Sequence, residues 1–223
     1  MTPKLKALIF DFEGTLVDFQ WRLEEAETEA GQLLADLGIT GKSQIKVHYA
    51  EAMNKALEHQ ERTGLVQGVL ALAALYDRYD ADALVRWQIR PGVQDILPLL
   101  RERGLKTGLV SNIGLASLEE ALIRLGLSPY LDVVISRNEA RWLKPHPQGI
   151  DLACQRLGCS KETVCFLGDS LDDIRAAQRA EVPVIIVSGG QHSPEKIQEA
   201  GPSGIIGDWQ ELFLLLEQKG WLT

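Results

Sequence analysis

Cysteine is scarce in this sequence and basic residues are outnumbered. Cys154, Cys159 and Cys165 are its three cysteines in 223 residues. Their spacing is neither a metal knuckle nor a redox pair, and an odd count argues against a closed disulfide framework. That excludes a disulfide-stapled scaffold, and reduced thiols point to a cytoplasmic protein. No apolar stretch approaches the roughly 18 residues needed to cross a bilayer, and Met1-Thr2-Pro3-Lys4 runs into a strand pattern without a charged-then-apolar leader. The reading is a soluble chain. With 23 Lys and Arg against 31 Asp and Glu, and a net charge of −8, it lacks the electrostatic footprint of a nucleic-acid or anionic-membrane binder, so a small ligand is the expected partner. Internal repeats and low-complexity segments are also missing, and the length predicts one core domain plus a modest insert.

What is present is four short polar segments, each following an apolar run. Leu5 to Phe10 reads as a strand delivering Asp11-Phe12-Glu13-Gly14-Thr15-Leu16-Val17-Asp18; the others are Ser111-Asn112, Leu143-Lys144-Pro145 and Gly168-Asp169-Ser170-Leu171-Asp172-Asp173. An aspartate at a strand end, followed by a Gly-Thr turn, suits an oxygen that attacks phosphorus and also holds a metal. Glu13, two residues on, points to the same side of an extended chain and suits a general acid and base. The alternative leaves only its main-chain carbonyl for a metal, with a water moving the protons. Gly14 and Thr15 let the backbone approach a phosphate and offer N–H groups to it. Ser111 and Asn112 offer a hydroxyl and an amide, a helix cap being an equal reading for Asn112. Lys144, kept extended before Pro145, is placed to offset the like charge of Asp11, Asp169, Asp173 and a phosphate dianion, a solvated lysine being the ordinary fate of this residue type. Asp169 and Asp173 share a face if a helix starts near Ser170, and magnesium is satisfied by one or two carboxylates, waters and a phosphate oxygen. Asp172 reads as an exposed acid favourable at a helix N-terminus.

Around these segments the apolar period is helical over 19–37, from a candidate N-cap at Ser43 to Gly64, and over 65–79 and 81–89. After Arg90-Pro91-Gly92, helices predicted at 93–103, 115–125, 148–157 and 171–180 alternate with strands at 105–110, 131–135, 163–167 and 182–187. A strand at 204–206 and a helix from Trp209 follow. The expected class is α/β, a parallel sheet with helices on both faces and ligands beyond the carboxyl ends of its strands. The core comprises 1–17 and 90–223, and 18–89 is a helical insert.

In this order the four segments resemble the haloacid dehalogenase superfamily, and within it the helical-cap phosphatases similar to phosphoglycolate phosphatase. The resemblance implies a Rossmann-like core with an inserted all-helical cap. It implies catalysis by Asp11, as the nucleophile that forms an aspartyl-phosphate, with Glu13 and Lys144. Mg²⁺ would be held by Asp11, Glu13 through its carbonyl, Asp169 and Asp173, and phosphate by Gly14, Thr15, Ser111, Asn112 and Lys144. The substrate would be a small phosphorylated metabolite; monomer or homodimer stays open. Glu13 departs from the pattern, where aspartate is usual, and a misplacement of about 1 Å can cost on the order of a hundredfold in rate. The acids at positions 13, 169 and 173 argue against the metal-free dehalogenase branch. No cap lysine among Lys42, Lys46 and Lys55 stands in a motif that selects a phosphonate-cleaving imine. The alternatives are a phosphomutase that needs a bisphosphate activator, and a non-catalytic protein, disabled at Glu13, that binds a phosphometabolite or a partner. Gln20, Trp21, Arg22, Lys55 and His59 are cleft-facing candidates for which packing or surface roles are the commoner fate.

Overall fold

The computed structural model describes residues 3–41 and 46–222. A six-stranded, all-parallel sheet forms its centre: β1 (Ala7–Phe10), β2 (Lys106–Val110), β3 (Val133–Ile135), β4 (Val164–Gly168), β5 (Val184–Val187) and β6 (Gly204–Ile206), in the spatial order β3-β2-β1-β4-β5-β6. Helices α1 (Leu23–Asp36), α2 (Tyr49–Thr63), α3 (Gln67–Leu84) and α4 (Val93–Glu102) lie between β1 and β2. They are followed by α5 (Leu115–Arg124), α6 (Gln148–Leu157), α7 (Leu171–Arg179), α8 (Pro194–Glu199) and α9 (Glu211–Gln218).

Because both faces are covered, β1, β4 and β5 are continuous apolar runs, fully buried. Alternate side chains serve opposite layers. Leu8, Phe10, Leu109, Leu167 and Ile185 meet α4, α5, α9 and the insert, whereas Ile9, Val110, Phe166, Val184 and Ile186 meet α6, α7 and α8. The chain leaves β1 toward β2 and later returns to place β4 on β1's other side, so strand order reverses between β1 and β4. In such sheets the crevice at this reversal, beyond the strand ends, is where ligands bind. Phe10 pairs in register with Leu109 on one side and Leu167 on the other, which brings the segments after β1, β2 and β4 to one level.

The insert leaves and rejoins the core through paired arms: Val17 bridges Ile89, and Asp18 N donates to Gln88 O at 3.0 Å. Helix α1 starts at Leu23 rather than at 19, because residues 18–22 form one of those arms. Helix α3 is continuous where two helices were expected, for a reason that lies in the partners of Asp80 described below. Helix α2 begins at Tyr49, after His48; the expected cap at Ser43 lies outside the described residues. The sequence reading missed α8, whose six residues offer too little periodicity, although Pro194 occupies a favoured first-turn position. The C-terminal end packs on the core, with Leu5 N donating to Trp221 O at 2.9 Å. Among the described residues no helix is long and apolar enough to cross a membrane.

Candidate active site

Asp11 follows β1, Asp169 follows β4 across the reversal point, and Asp173 stands in the first turn of α7. One carboxylate oxygen from each lies within 4.8 Å of the others, and the three residues are only 6%, 4% and 1% exposed. Ser170 and Asp173 form a capping box at the start of α7. Asp173 Oδ2 accepts from Ser170 Oγ at 2.7 Å and from the amides of Asp169 and Ser170, each at 3.1 Å. Its other oxygen accepts from Lys144 Nζ at 2.7 Å, and Lys144 also donates to Asp11 Oδ1. Lys144 is therefore a buried cation bridging two of the three acids.

The Lys144 loop, with a cis Lys144–Pro145 bond, is held by Asn112. Asn112 Oδ1 accepts from Lys144 N at 3.0 Å, while its Nδ2 donates to Lys144 O at 3.2 Å and to Tyr49 Oη at 2.9 Å. This corrects the helix-cap reading of Asn112: Gly114 occupies the N-cap position of α5, and the Asn112 amide instead donates to Tyr49 and Lys144. Thr15 is fully buried and donates its hydroxyl to Asp11 Oδ2 at 3.3 Å. Gly14 has φ +84°, and a Cβ there would lie 2.2 Å from Asp169 Oδ2. The turn after β1 thus needs glycine both for its backbone conformation and for the approach of the acid.

Burial pushes Asp11 up to about 6; Lys144 opposes the shift and Asp173 adds to it. Asp169 is raised well above the usual carboxylate range by burial, then by Asp173 and Asp11. Burial works against the charge of Lys144, but Asp11 and Asp173 outweigh it and keep the ammonium protonated above its ordinary range. Asp169 Oδ2 is buried without a hydrogen-bond partner. A buried, unsatisfied carboxylate oxygen beside two further carboxylates is a donor set that fits a hard divalent cation such as Mg²⁺.

Glu13 reaches toward the insert. Its Oε1 accepts from Gln20 N at 2.6 Å, Trp21 N at 2.7 Å and Trp87 Nε1 at 2.8 Å, so one oxygen joins both arms. Burial pushes this carboxyl up to about 7 against those three hydrogen bonds, and Asp11 adds to the rise.

Residues 5–181 match the family model of the haloacid dehalogenase-like hydrolases. The chain belongs to that family. Among curated relatives, the phosphoglycolate phosphatase of Photorhabdus laumondii subsp. laumondii is 29% identical, over 93% of this chain and 91% of the relative. Among solved structures, a predicted phosphoglycolate phosphatase from Haemophilus somnus superposes with a TM-score of 0.66 at 21% identity, covering 95% of this chain and 97% of the other. CbbY from Rhodobacter sphaeroides, solved in complex with phosphate, gives 0.63 at 21% identity, covering 93% and 96%. At such identity the structural likeness speaks for the fold.

In this hydrolase the cleft above the acids is walled by Phe19, Trp21, Leu23, Tyr49 and Ile113, and His48, Asp172 and His192 also line it. Asp172 is not the exposed acid that the sequence suggested. Its side chain is 16% exposed, and its Oδ2 lies 3.5 Å from His48 Nε2, because the start of α2 covers this end of α7. Of the cap candidates, Trp21 lines the cleft, whereas Gln20 contributes its amide to Glu13. Arg22 turns away to Glu25 and Asp82, each at 3.1 Å. Lys55 lines a neighbouring cavity, and His59 belongs to neither lining. Tyr49, His48 and His192 carry no motif spacing, so nothing in the sequence marked them.

Proposed function

We propose that this hydrolase is a Mg²⁺-dependent phosphatase that cleaves small phosphate monoesters through an aspartyl-phosphate on Asp11. The observation that carries the reading is the buried Asp11–Asp169–Asp173 cluster with Lys144 as its internal cation. Asp11 and Asp169 would hold the metal directly, with the Glu13 carbonyl. Asp173, whose Oδ2 already accepts three hydrogen bonds, would bind through water while it orients Lys144. Bound magnesium supplies charge neutralisation on the phosphate oxygens.

A carboxylate oxygen of Asp11 attacks phosphorus, and the bond from phosphorus to the ester oxygen breaks. Glu13 gives a proton to that oxygen, then takes one from the water that hydrolyses the aspartyl-phosphate. A carboxyl pushed up to about 7 is populated in both forms near neutral pH, as the two half-reactions require. The amides of Gly14 and Thr15, the Ser111 hydroxyl and Lys144 receive the phosphate, while Asn112 holds the lysine loop. Residues 1–17 and 90–223 act as the catalytic core and 18–89 as its cap. The three free cysteines fit a reducing, cytoplasmic setting.

The test is phosphate release from a panel of aryl, sugar and glycolate phosphates, with Mg²⁺ and with EDTA, by this protein and its Asp11→Asn form. Metal-dependent turnover lost on substitution is the expected result. No turnover of any ester, or turnover indifferent to metal, overturns the reading, and turnover only with a bisphosphate activator makes the protein a mutase.

A further inference from the structure

We infer that the leaving group of the substrate is uncharged and largely apolar, so that an ester carrying a carboxylate, such as phosphoglycolate, is a poor substrate. The inference rests on the phosphatase reading and narrows it.

Two features of the cleft carry it. The first is the wall facing the acids, formed by Phe19, Trp21, Leu23, Tyr49 and Ile113. Trp21 is fixed there. Its Nε1 donates to Asp80 at 2.9 Å, and its ring meets those of Tyr49 and Tyr76 edge-on, with centroids 5.2 and 5.5 Å away. The hydroxyl oxygen of Tyr49 accepts from Asn112 and keeps its own hydrogen to donate, an uncharged polar point in the wall. What remains is a rigid, mostly apolar surface where the ester's organic part must lie.

The second feature is charge. The lining holds Asp11, Glu13, Asp169, Asp172 and Asp173 but a single lysine, Lys144, already committed to Asp11 and Asp173. A divalent cation and Lys144 together balance the three clustered aspartates. The phosphate dianion then leaves the cleft net negative before Asp172 is counted, and a second anion in the substrate would add like charge at close range. Among the described residues no other lysine or arginine lines the cleft, and Arg90, near Asp169, is turned to the carbonyls of Gly14 and Ser188. His48 faces Asp172, and burial holds His192 below its ordinary value, toward the neutral ring. Arg175 and Lys55 line the neighbouring cavity and pair with Asp172 and Glu51.

Isobutyl phosphate and phosphoglycolate share one heavy-atom connectivity and nearly one size, with methyl groups in one where the other has carboxylate oxygens, so charge and polarity are the main differences between them. With Mg²⁺ present we expect kcat/KM at least about tenfold higher for isobutyl phosphate, within the range that one apolar pocket can discriminate. Calorimetry should show the same order for two unreactive analogues, isopentyl phosphonate binding more tightly than carboxyethyl phosphonate. Leu23→Arg, which adds a cation to the wall, should shrink or reverse both preferences. Equal or better use of phosphoglycolate by the unmodified protein, or equal or tighter binding of carboxyethyl phosphonate, overturns the inference while leaving the phosphatase reading intact. If neither ester is turned over, the phosphonate affinities decide the charge preference, and the phosphatase reading is decided separately by the wider ester panel.

Discussion

Lys144→Met removes an ammonium while keeping an unbranched side chain of comparable length. Lys144 is 5% exposed and bridges Asp11 and Asp173, so its loss leaves two carboxylates buried without their cation beside Asp169. Removing one partner of a buried ion pair costs about 3–5 kcal/mol. For a chain of this size each kcal/mol moves Tm by about 2–4 °C, which gives an expected fall of about 6–20 °C in EDTA at about pH 8. The sign of the pH dependence follows from Asp11. Its carboxyl stands at about 6 with the lysine in place and rises further without it, whereas the unfolded value is about 3.9. A carboxyl raised by folding binds its proton more tightly in the folded state, so stability falls as pH rises through this window and returns as pH drops. The deficit of the variant should therefore shrink between about pH 8 and pH 5. Added magnesium should shrink it as well, by supplying the missing positive charge. Thermal unfolding at both pH values, in EDTA and in magnesium, measures all three. A Tm within about 2 °C of the unmodified protein at the higher pH in EDTA, or a deficit that grows on acidification, would refute the assignment of Lys144 as the cluster's internal cation.

Three other perturbations follow from the same geometry. Trp87→Phe removes one of the three hydrogen bonds that hold Glu13 Oε1; the carboxyl should rise above about 7, moving the alkaline limb of the kcat/KM profile to higher pH, and no shift contradicts a role for Glu13 as general acid. Gly14→Ala forces a Cβ to within 2.2 Å of Asp169 Oδ2 at a φ of +84°. Magnesium affinity measured by calorimetry should drop about 10–100-fold, as when a partner that orients a metal ligand is lost. For the thiols, burial pushes Cys154 up to about 11 and raises Cys165 as well, whereas Cys159 is partly exposed. Thiol titration of the native protein should label Cys159 first, with the other two following only in denaturant; equal rates for all three would contradict their burial.

The strands that carry the site were legible because burial on both faces writes them as unbroken apolar runs, and polar residues can follow such runs only where the chain emerges at their carboxyl ends. Lys144 beside the aspartates was legible from its motif, Leu143-Lys144-Pro145, together with the need to offset like charge; its residue type alone reads as a solvated lysine. Long-range contacts were not. The break expected near position 80 placed a charged residue at a helix end, yet Asp80 is fully buried inside α3. It accepts from Trp21 Nε1 and Gly114 N at 2.9 Å and from Arg137 at 2.7 Å, three partners distant in sequence. Such satisfaction makes a buried carboxylate tolerable and lets the helix continue. Glu13 behaves alike, since its third donor, Trp87, is 74 residues away and no local pattern announces it. Asp172 looked exposed because a helix N-terminus accounts for an acid by itself; its covering by the insert is a tertiary fact.

The central claim is that Asp11 carries the phosphoryl group, and direct detection of that group tests it best. The protein would be mixed with Mg²⁺ and phenyl phosphate, quenched in acid within a single turnover, digested and mapped by mass spectrometry. The account predicts a phosphoryl adduct on the peptide containing Asp11, removed by hydroxylamine and absent from the Asp11→Asn form. Steady turnover with no adduct at Asp11, or an Asp11→Asn protein that cleaves the ester as fast as the unmodified one, would contradict it.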